Sequence, residues 1–330
     1  MSRRTIMGLG VGAGLGMLLL AAGLASLALG DANLPPLTVL RALGGRGDDL
    51  ARTVVLELRL PRTLVGMAVG AGLAASGVAM QAFFRNALAS PGLLGVSTGG
   101  ALGAVAALAL GGASMSYWLV PGASILGAFL ATGVVFAMAR RGASPEHLLL
   151  IGVALNALFG AGTSFLLAIS AGQFQVSAQI LFWLMGGIEN RTWLHVAIGL
   201  PGILLGCALM LPLGRTMNLL SLGEPSAQSL GVNVGRLRWQ LIALSTVLTA
   251  LATAVGGVVG FVGLLVPHLL RLGFGPDHRR LLPFSMLGGA SLVLLCDLPT
   301  RFLPGGIRLG VVTALLGGPF LLWMLRRKPC

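Results

Sequence analysis

Long apolar runs, separated by short polar segments that carry arginines, recur along the whole chain. The runs at 5–29, 61–84, 93–111, 116–139, 147–171, 193–213, 237–257, 258–272, 281–301 and 307–325 each predict a membrane-crossing helix, because about 20 apolar residues span the hydrocarbon core. The run at 258–272 is short and contains Pro267, which removes a helical hydrogen bond and bends the helix. A further run at 176–188 reads as an extra short helix and not as a crossing. Ten crossings place both termini on one side of the membrane, here the inner side. Five crossings fall in each half, and an odd number makes the halves opposite in orientation, an arrangement that builds pathways at repeat interfaces. The expected fold is therefore an all-α integral membrane protein of about ten transmembrane helices, one domain over 1–330, in two inverted five-helix halves.

The first run has Arg3 and Arg4 before it and small residues after it, as a signal peptide does. From Ile6 to Leu29 it exceeds the ~7–15 residues of a signal core, so an uncleaved first helix is expected. Two connections stand out. Residues 31–60 are too polar to cross and too long for a tight turn, and they are expected on the outer, periplasmic surface. Residues 221–236, "SLGEPSAQSLGVNVGR", fall on the inner side. There Ser221 and Glu224 have capping-box spacing and Gly231 can end a short helix. That segment is either an ordinary capped loop helix or a handle for a soluble partner.

Composition agrees with the pattern. Of 330 residues, 56% are hydrophobic and 9% charged, where soluble domains average about 25% charged. The 51 glycines suit helices that approach closely in lipid. The formal charge of +13 does not indicate nucleic acid, because the basic residues form no stripe. They serve the positive-inside rule: Arg85, Arg140, Arg141, Arg215, Arg236, Arg238, Arg271, Arg279, Arg280, Arg326, Arg327 and Lys328 join Arg3 and Arg4 inside. The exceptions cluster, with Arg41, Arg46, Arg52, Arg59 and Arg62 crowded into the outer connection and its edge.

Candidate chemistry is sparse. No carboxylate falls at a predicted midplane, and Asp297, the deepest, lies one turn from the outer end of its span. An ion-coupled secondary transporter, which usually needs an intramembrane ionisable group, is the rival class of function; a membrane scaffold or sensor is a third. No G-x-x-x-x-G-K-[ST] phosphate loop occurs, so the chain supplies no ATPase of that kind. His195, beside Arg191 and Trp193, reads as interfacial, and His268, after Pro267, as a local hydrogen-bond partner. Cys207, Cys296 and Cys330 lack metal-ligand spacing and the methionines are scattered. No catalytic residue, no metal site and no permanently bound cofactor is expected.

The segments "LRLPRTLVGMAVGAGLAASGVAMQAFFRNALASPGLLGVSTGGALGA", "LGEPSAQSLGV", "GFVGLLVPHLLRL", "GPDHRRLLP" and "LGVVTALLGGPFLLWML" resemble, in order and over nearly the whole chain, the FecCD-type permeases. These are the membrane subunits of type II ABC importers for iron–siderophores, haem and cobalamin. The resemblance implies a homodimer in the bacterial inner membrane, working with two cytoplasmic ABC ATPases that bind ATP and with a periplasmic substrate-binding protein. It implies that Arg59, Arg62 and Arg301 dock the binding protein, and that Gly223, Glu224, Ala227, Leu230 and Gly231 form the coupling helix that enters the ATPase. Asn86 and Leu88 match a cytoplasmic gate, with Pro145 and Glu146 opposite; Gln173 and Phe174 fall near the periplasmic gate. On this basis the 61–84 helix is expected to line the pore, with its glycines packing closely and Pro91–Gly92 breaking the chain at the gate. The chain departs from the family pattern at Ala87 and Ser90, and at Gly306-Ile307-Arg308-Leu309-Gly310, where an acidic residue is usual. Among cargoes the "PGLLG" and "TALLGGPFLLWML" segments favour haem, with ferric siderophore and cobalamin as alternatives.

Overall fold

A computed structural model describes residues 3–30, 33–111, 116–140, 144–303 and 306–327. Arg141, Lys328 and Cys330 lie outside the described residues. Every regular element among the described residues is helical, and there are no strands among them.

Ten helices correspond to the ten predicted crossings: α1 (Arg3–Ala28), α4 (Leu60–Phe83), α5 (Val96–Ala109), α6 (Leu119–Arg140), α7 (Pro145–Ile169), α9 (Trp193–Met210), α12 (Val234–Gly256), α13 (Val262–Phe274), α14 (His278–Thr300) and α15 (Leu309–Arg327). The extra apolar run forms a short helix, α8 (Phe174–Leu184). Seven of these helices are long and apolar enough to cross a membrane by themselves, and the rest are shorter apolar helices. The connection at 31–60 contains α2 (Pro36–Leu43) and α3 (Asp49–Thr53), and α3 continues through a π-turn at Val54–Arg59 straight into α4. Arg59 and Arg62 therefore sit on one unbroken helix, not in a loop. Between α9 and α12 lie the short helices α10 (Gly214–Leu220) and α11 (Glu224–Ser229).

The expectation that α4 lines a pore is overturned. Of the apolar window in the span Asp49–Phe83, which includes α4, 83% is buried inside this one chain, against 22% for that of α7. Its glycines explain the difference. A Cβ at Gly70 would stand 2.2 Å from the Gly289 carbonyl oxygen on α14, and one at Gly77 would stand 1.8 Å from that of Gly263 on α13. In lipid no hydrophobic force draws helices together, so backbone-on-backbone approach and polar contacts hold the bundle. Here the polar contacts include Ser76 with Thr249 at 2.9 Å and Thr132 with Thr246 at 3.1 Å. The helix is the hub around which α9, α12, α13 and α14 pack. The same device joins α5 to α6, where Gly99 and Gly103 meet Gly127 and Ala123.

After Phe83 the chain reverses. Arg85 adopts φ +49, a 3-10 turn runs from Pro91 to Leu94, and Gly95 at φ +78 starts α5. Proline and glycine thus break the chain where the sequence places the break. Open apolar faces occur on several helices, among them α6 (Leu126, Leu130), α7 (Leu150, Val153, Leu158, Phe165), α9 (Leu204, Leu205) and α15 (Leu315, Leu322).

Candidate functional site

At one end of the bundle the last turn of α1, the start of α4 and the end of α14 converge on a buried polar cluster. Asp297, on α14, is fully buried. Its carboxylate accepts hydrogen bonds from Arg62 Nη2 at 2.7 Å and from Arg301 Nη2 at 2.7 Å. Arg62 also reaches the Thr300 hydroxyl at 3.1 Å, and Arg301 donates to Ser26 Oγ at 2.7 Å and to the Leu29 carbonyl at 2.9 Å. Arg59 Nη1 donates to the carbonyls of Leu27 and Ala28, both at 2.8 Å. Those carbonyls lack helical partners at the end of α1, and a guanidinium there satisfies them and opposes the negative end of the helix dipole.

The three arginines of the sequence reading are therefore brought together, but as built-in parts of the fold. Arg59 is only 8% exposed, and its partners belong to its own chain. Arg62 and Arg301 share one carboxylate, which leaves an excess positive charge. They border a cavity of about 600 Å³ that Glu57, Arg59, Glu189 and Arg191 also line. Arg191, which the sequence shows only as a neighbour of the interfacial His195, belongs to the cavity wall. Its guanidinium donates to the Gly187 carbonyl at 3.2 Å and lies 3.3 Å from His195 Nε2. Burial lowers its pKa to about 10 although Glu189 opposes the shift, so it is charged at neutral pH. His195 is engaged locally, completing a capping box with Thr192 at the start of α9. Arg308, the departure from the family pattern, pairs with Glu189 at 3.0 Å and lies 4.3 Å over the Phe182 ring. It pins the segment before α15 to α8 and the loop after it.

At the opposite end, α10 and α11 form the polar handle. Gly223 at φ +102 precedes α11 and Gly231 at φ +83 follows it. Such backbone is open to glycine without strain, and the Gly231 N–H closes the turn on the Gln228 carbonyl. The expected Ser221–Glu224 capping box is absent. Gly223 holds the cap position, Ser221 Oγ donates to the Asn218 carbonyl at 2.6 Å, and Glu224 pairs with Arg238 on α12. A half-buried arginine offers a carboxylate a stronger partner than a backbone N–H does. Ala227, on the inner side of α11, is fully buried, while Leu230 and Leu222 stand 59% and 63% exposed at the helix's two ends. Leu222 was not picked out from the sequence; two exposed leucines around a short polar helix are its signal.

The gate residues fall in two places. Asn86 Oδ1 accepts from the Leu88 N–H at 2.9 Å, shaping the turn after α4. Pro145 and Glu146 open α7, capped by Ser144. The turn after α4 rests on the first half of α7, where Asn156 Nδ2 donates to the Gly92 carbonyl at 3.0 Å, so the two loops occupy the same end of the bundle. Gln173 and Phe174 start α8, with Phe174 85% exposed.

The chain is similar to known transporters. The profile of the FecCD transport family matches residues 18–327. The cobalamin import system permease protein BtuC of Halobacterium salinarum is 43% identical over 282 residues, covering 85% of this chain and 75% of that protein. The hemin transport system permease protein HmuU of Yersinia pestis is 41% identical over 323 residues, 95% of each chain. A solved structure described as an inward-facing metal-chelate type ABC transporter matches with a TM-score of 0.87 at 35% identity, over 97% of this chain and 99% of that one. The chain belongs to the FecCD transport family, as a permease subunit of a type II ABC importer and not as an enzyme.

Proposed function

We propose that this permease carries haem from a periplasmic binding protein across the bacterial inner membrane to the cytoplasm, working as a homodimer with two ATPase subunits. The arginine end then faces the periplasm and α10–α11 the cytoplasm, with both termini cytoplasmic. Five crossings before α8 and five after it suit two inverted halves.

The observation that carries the reading is the pairing of two specialised ends on one glycine-locked bundle. The arginine-lined cavity presents a focused positive field to acidic side chains of a docking protein; such fields chiefly set encounter rate and register. Because Arg59, Arg301 and Asp297 are fixed inside, Arg62 and the surrounding cavity meet the partner, while Arg59 and Arg301 hold the end of α1 in place. At the other end Leu222 and Leu230 offer apolar knobs to the ATPase, and Gly223 and Gly231 shape the turn that presents them. Motion there opens and closes the turns at Asn86–Leu88 and Pro145–Glu146, with Gln173 and Phe174 at the outer rim. The open apolar faces of α7 and α15 suit contact with the second copy and passage of a large apolar cargo.

Haem is supported by the hemin-transport relative, 41% identical over 95% of both chains, together with the "PGLLG" and "TALLGGPFLLWML" segments. Cobalamin is the second reading, favoured by the higher identity, 43%, of the cobalamin relative; ferric siderophore is a further alternative within the same mechanism. The test is ATP-driven uptake of haem, cobalamin and ferric siderophore into proteoliposomes holding the permease with its co-purifying ATPase and binding protein. Uptake of haem alone supports the proposal. Uptake of cobalamin alone replaces the cargo, and gradient-driven uptake without ATPase refutes the whole reading.

A further inference from the structure

We infer that Asn218 is a positioning residue that couples the inner handle to the outer arginine cluster through α14; this rests on the importer reading. Besides the packing of Met217, Leu220 and Ala227 into the core, two polar side-chain joints tie the handle to the membrane bundle among the described residues. One is the Glu224–Arg238 pair, which ties α11 to α12. The other is Asn218 on α10, which is bound to the first turn of α14 by three contacts. Its Nδ2 donates to Asp277 Oδ1 at 2.6 Å, and its Oδ1 accepts from the His278 N–H at 2.8 Å and faces His278 Nδ1 at 2.8 Å. The backbones are close at the same joint, since a Cβ on Gly214 would stand 3.1 Å from the Cα of Arg279.

From this joint α14 runs 23 residues to Thr300, about 34 Å at 1.5 Å per residue. That is the full thickness of the hydrocarbon core, about 30 Å. Its far end carries Asp297, which holds Arg62 and Arg301. Midway, Gly289 is in backbone contact with Gly70 of α4, and a Cβ on Gly289 would stand 2.3 Å from the Gly70 carbonyl oxygen. Interlocked backbones cannot slide, so α14 and α4 move as one strut. The strut is joined to the handle by Asn218 at one end and carries the arginine cluster at the other. Displacement of α10 by the ATPase then tilts the arginine cluster, and docking on that cluster acts back on the ATPase by the same free energy, as linkage requires.

The test uses the permease–ATPase complex in lipid, with Phe302, which is 54% exposed just beyond Arg301, replaced by cysteine and Cys330 by serine. The native Cys207 and Cys296 are buried. The rate at which an impermeant maleimide labels Phe302→Cys is compared with and without ATP plus vanadate. Asn218→Ala is expected to shrink the nucleotide-dependent change in rate by about fivefold or more, leaving the nucleotide-free rate and the bound ATPase unchanged. The swap Asn218→Asp with Asp277→Asn rebuilds the hydrogen bond with reversed polarity and keeps a capping side chain at 277; it is expected to restore the change. A full response in Asn218→Ala, or a folded swap without response, overturns the link alone. A parent that binds no ATPase overturns the importer reading and the link with it.

Discussion

Arg62 and Asp297 stand 235 positions apart in the chain and 2.7 Å apart in the fold. The contact fastens the first residues of α4 to the last turn of α14, and Arg301 closes on the other oxygen of the same carboxylate. A fully buried carboxylate with two guanidinium partners is costly to take from water, and removing it strands two cations. Asp297→Ala should therefore destabilise the detergent-solubilised chain by about 3–5 kcal/mol, the range for breaking a buried pair from one side. Asp297→Asn, which keeps acceptor capacity but not charge, should fall between. Thermal and denaturant unfolding check both.

The same logic limits charge reversal as a test of docking. Arg62→Glu would place a second carboxylate beside Asp297 and damage the fold before any docking effect could be read. Arg62→Gln retains a donor and leaves Asp297 with Arg301. It should slow association with the binding protein, with a weaker salt dependence, while the chain stays folded. Surface plasmon resonance at two ionic strengths measures both.

Gly77 and Gly133 make a matched pair for the packing argument. A Cβ at Gly77 would collide with the Gly263 backbone at 1.8 Å, whereas one at Gly133 on α6 meets nothing within 4 Å. Gly77→Ala forces α4 and α13 apart and should cost about 3 kcal/mol or more, at the upper end for overpacking. Gly133→Ala should be neutral or stabilise by about 0.5–1 kcal/mol, because glycine in a helix interior is unfavourable relative to alanine. Unfolding midpoints of the two variants in one detergent decide it.

How much of this was legible depends on the kind of signal. Apolar runs report their own length, so the ten helices and the short α8 were readable to within a few residues. Which helix is central was not, because in lipid a core-facing and a lipid-facing helix are both apolar all round. Glycine content was the available clue: α4 carries Gly66, Gly70, Gly72 and Gly77, and each meets a neighbouring helix or loop. The role of Asp297 was half visible, through its spacing of four from Arg301; its contact with Arg62 has no local trace. Ser221 and Glu224 misled because spacing shows which groups can meet, not which stronger partner a carboxylate finds. Arg238, 14 residues further along, took it.

Leu222 and Leu230 test the handle without touching the bundle. Both residues are mostly exposed at the ends of α11, so substitution removes little internal packing. The double variant Leu222→Asp, Leu230→Asp should unfold as the parent does. Its ATPase binding should weaken at least tenfold, ~1.4 kcal/mol, because charges would have to be buried against the partner. Pull-down titration with the ATPase reads the affinity, and circular dichroism melting reads the fold. A variant that binds normally would remove these two leucines from the interface and leave Ala227 as a packing residue alone.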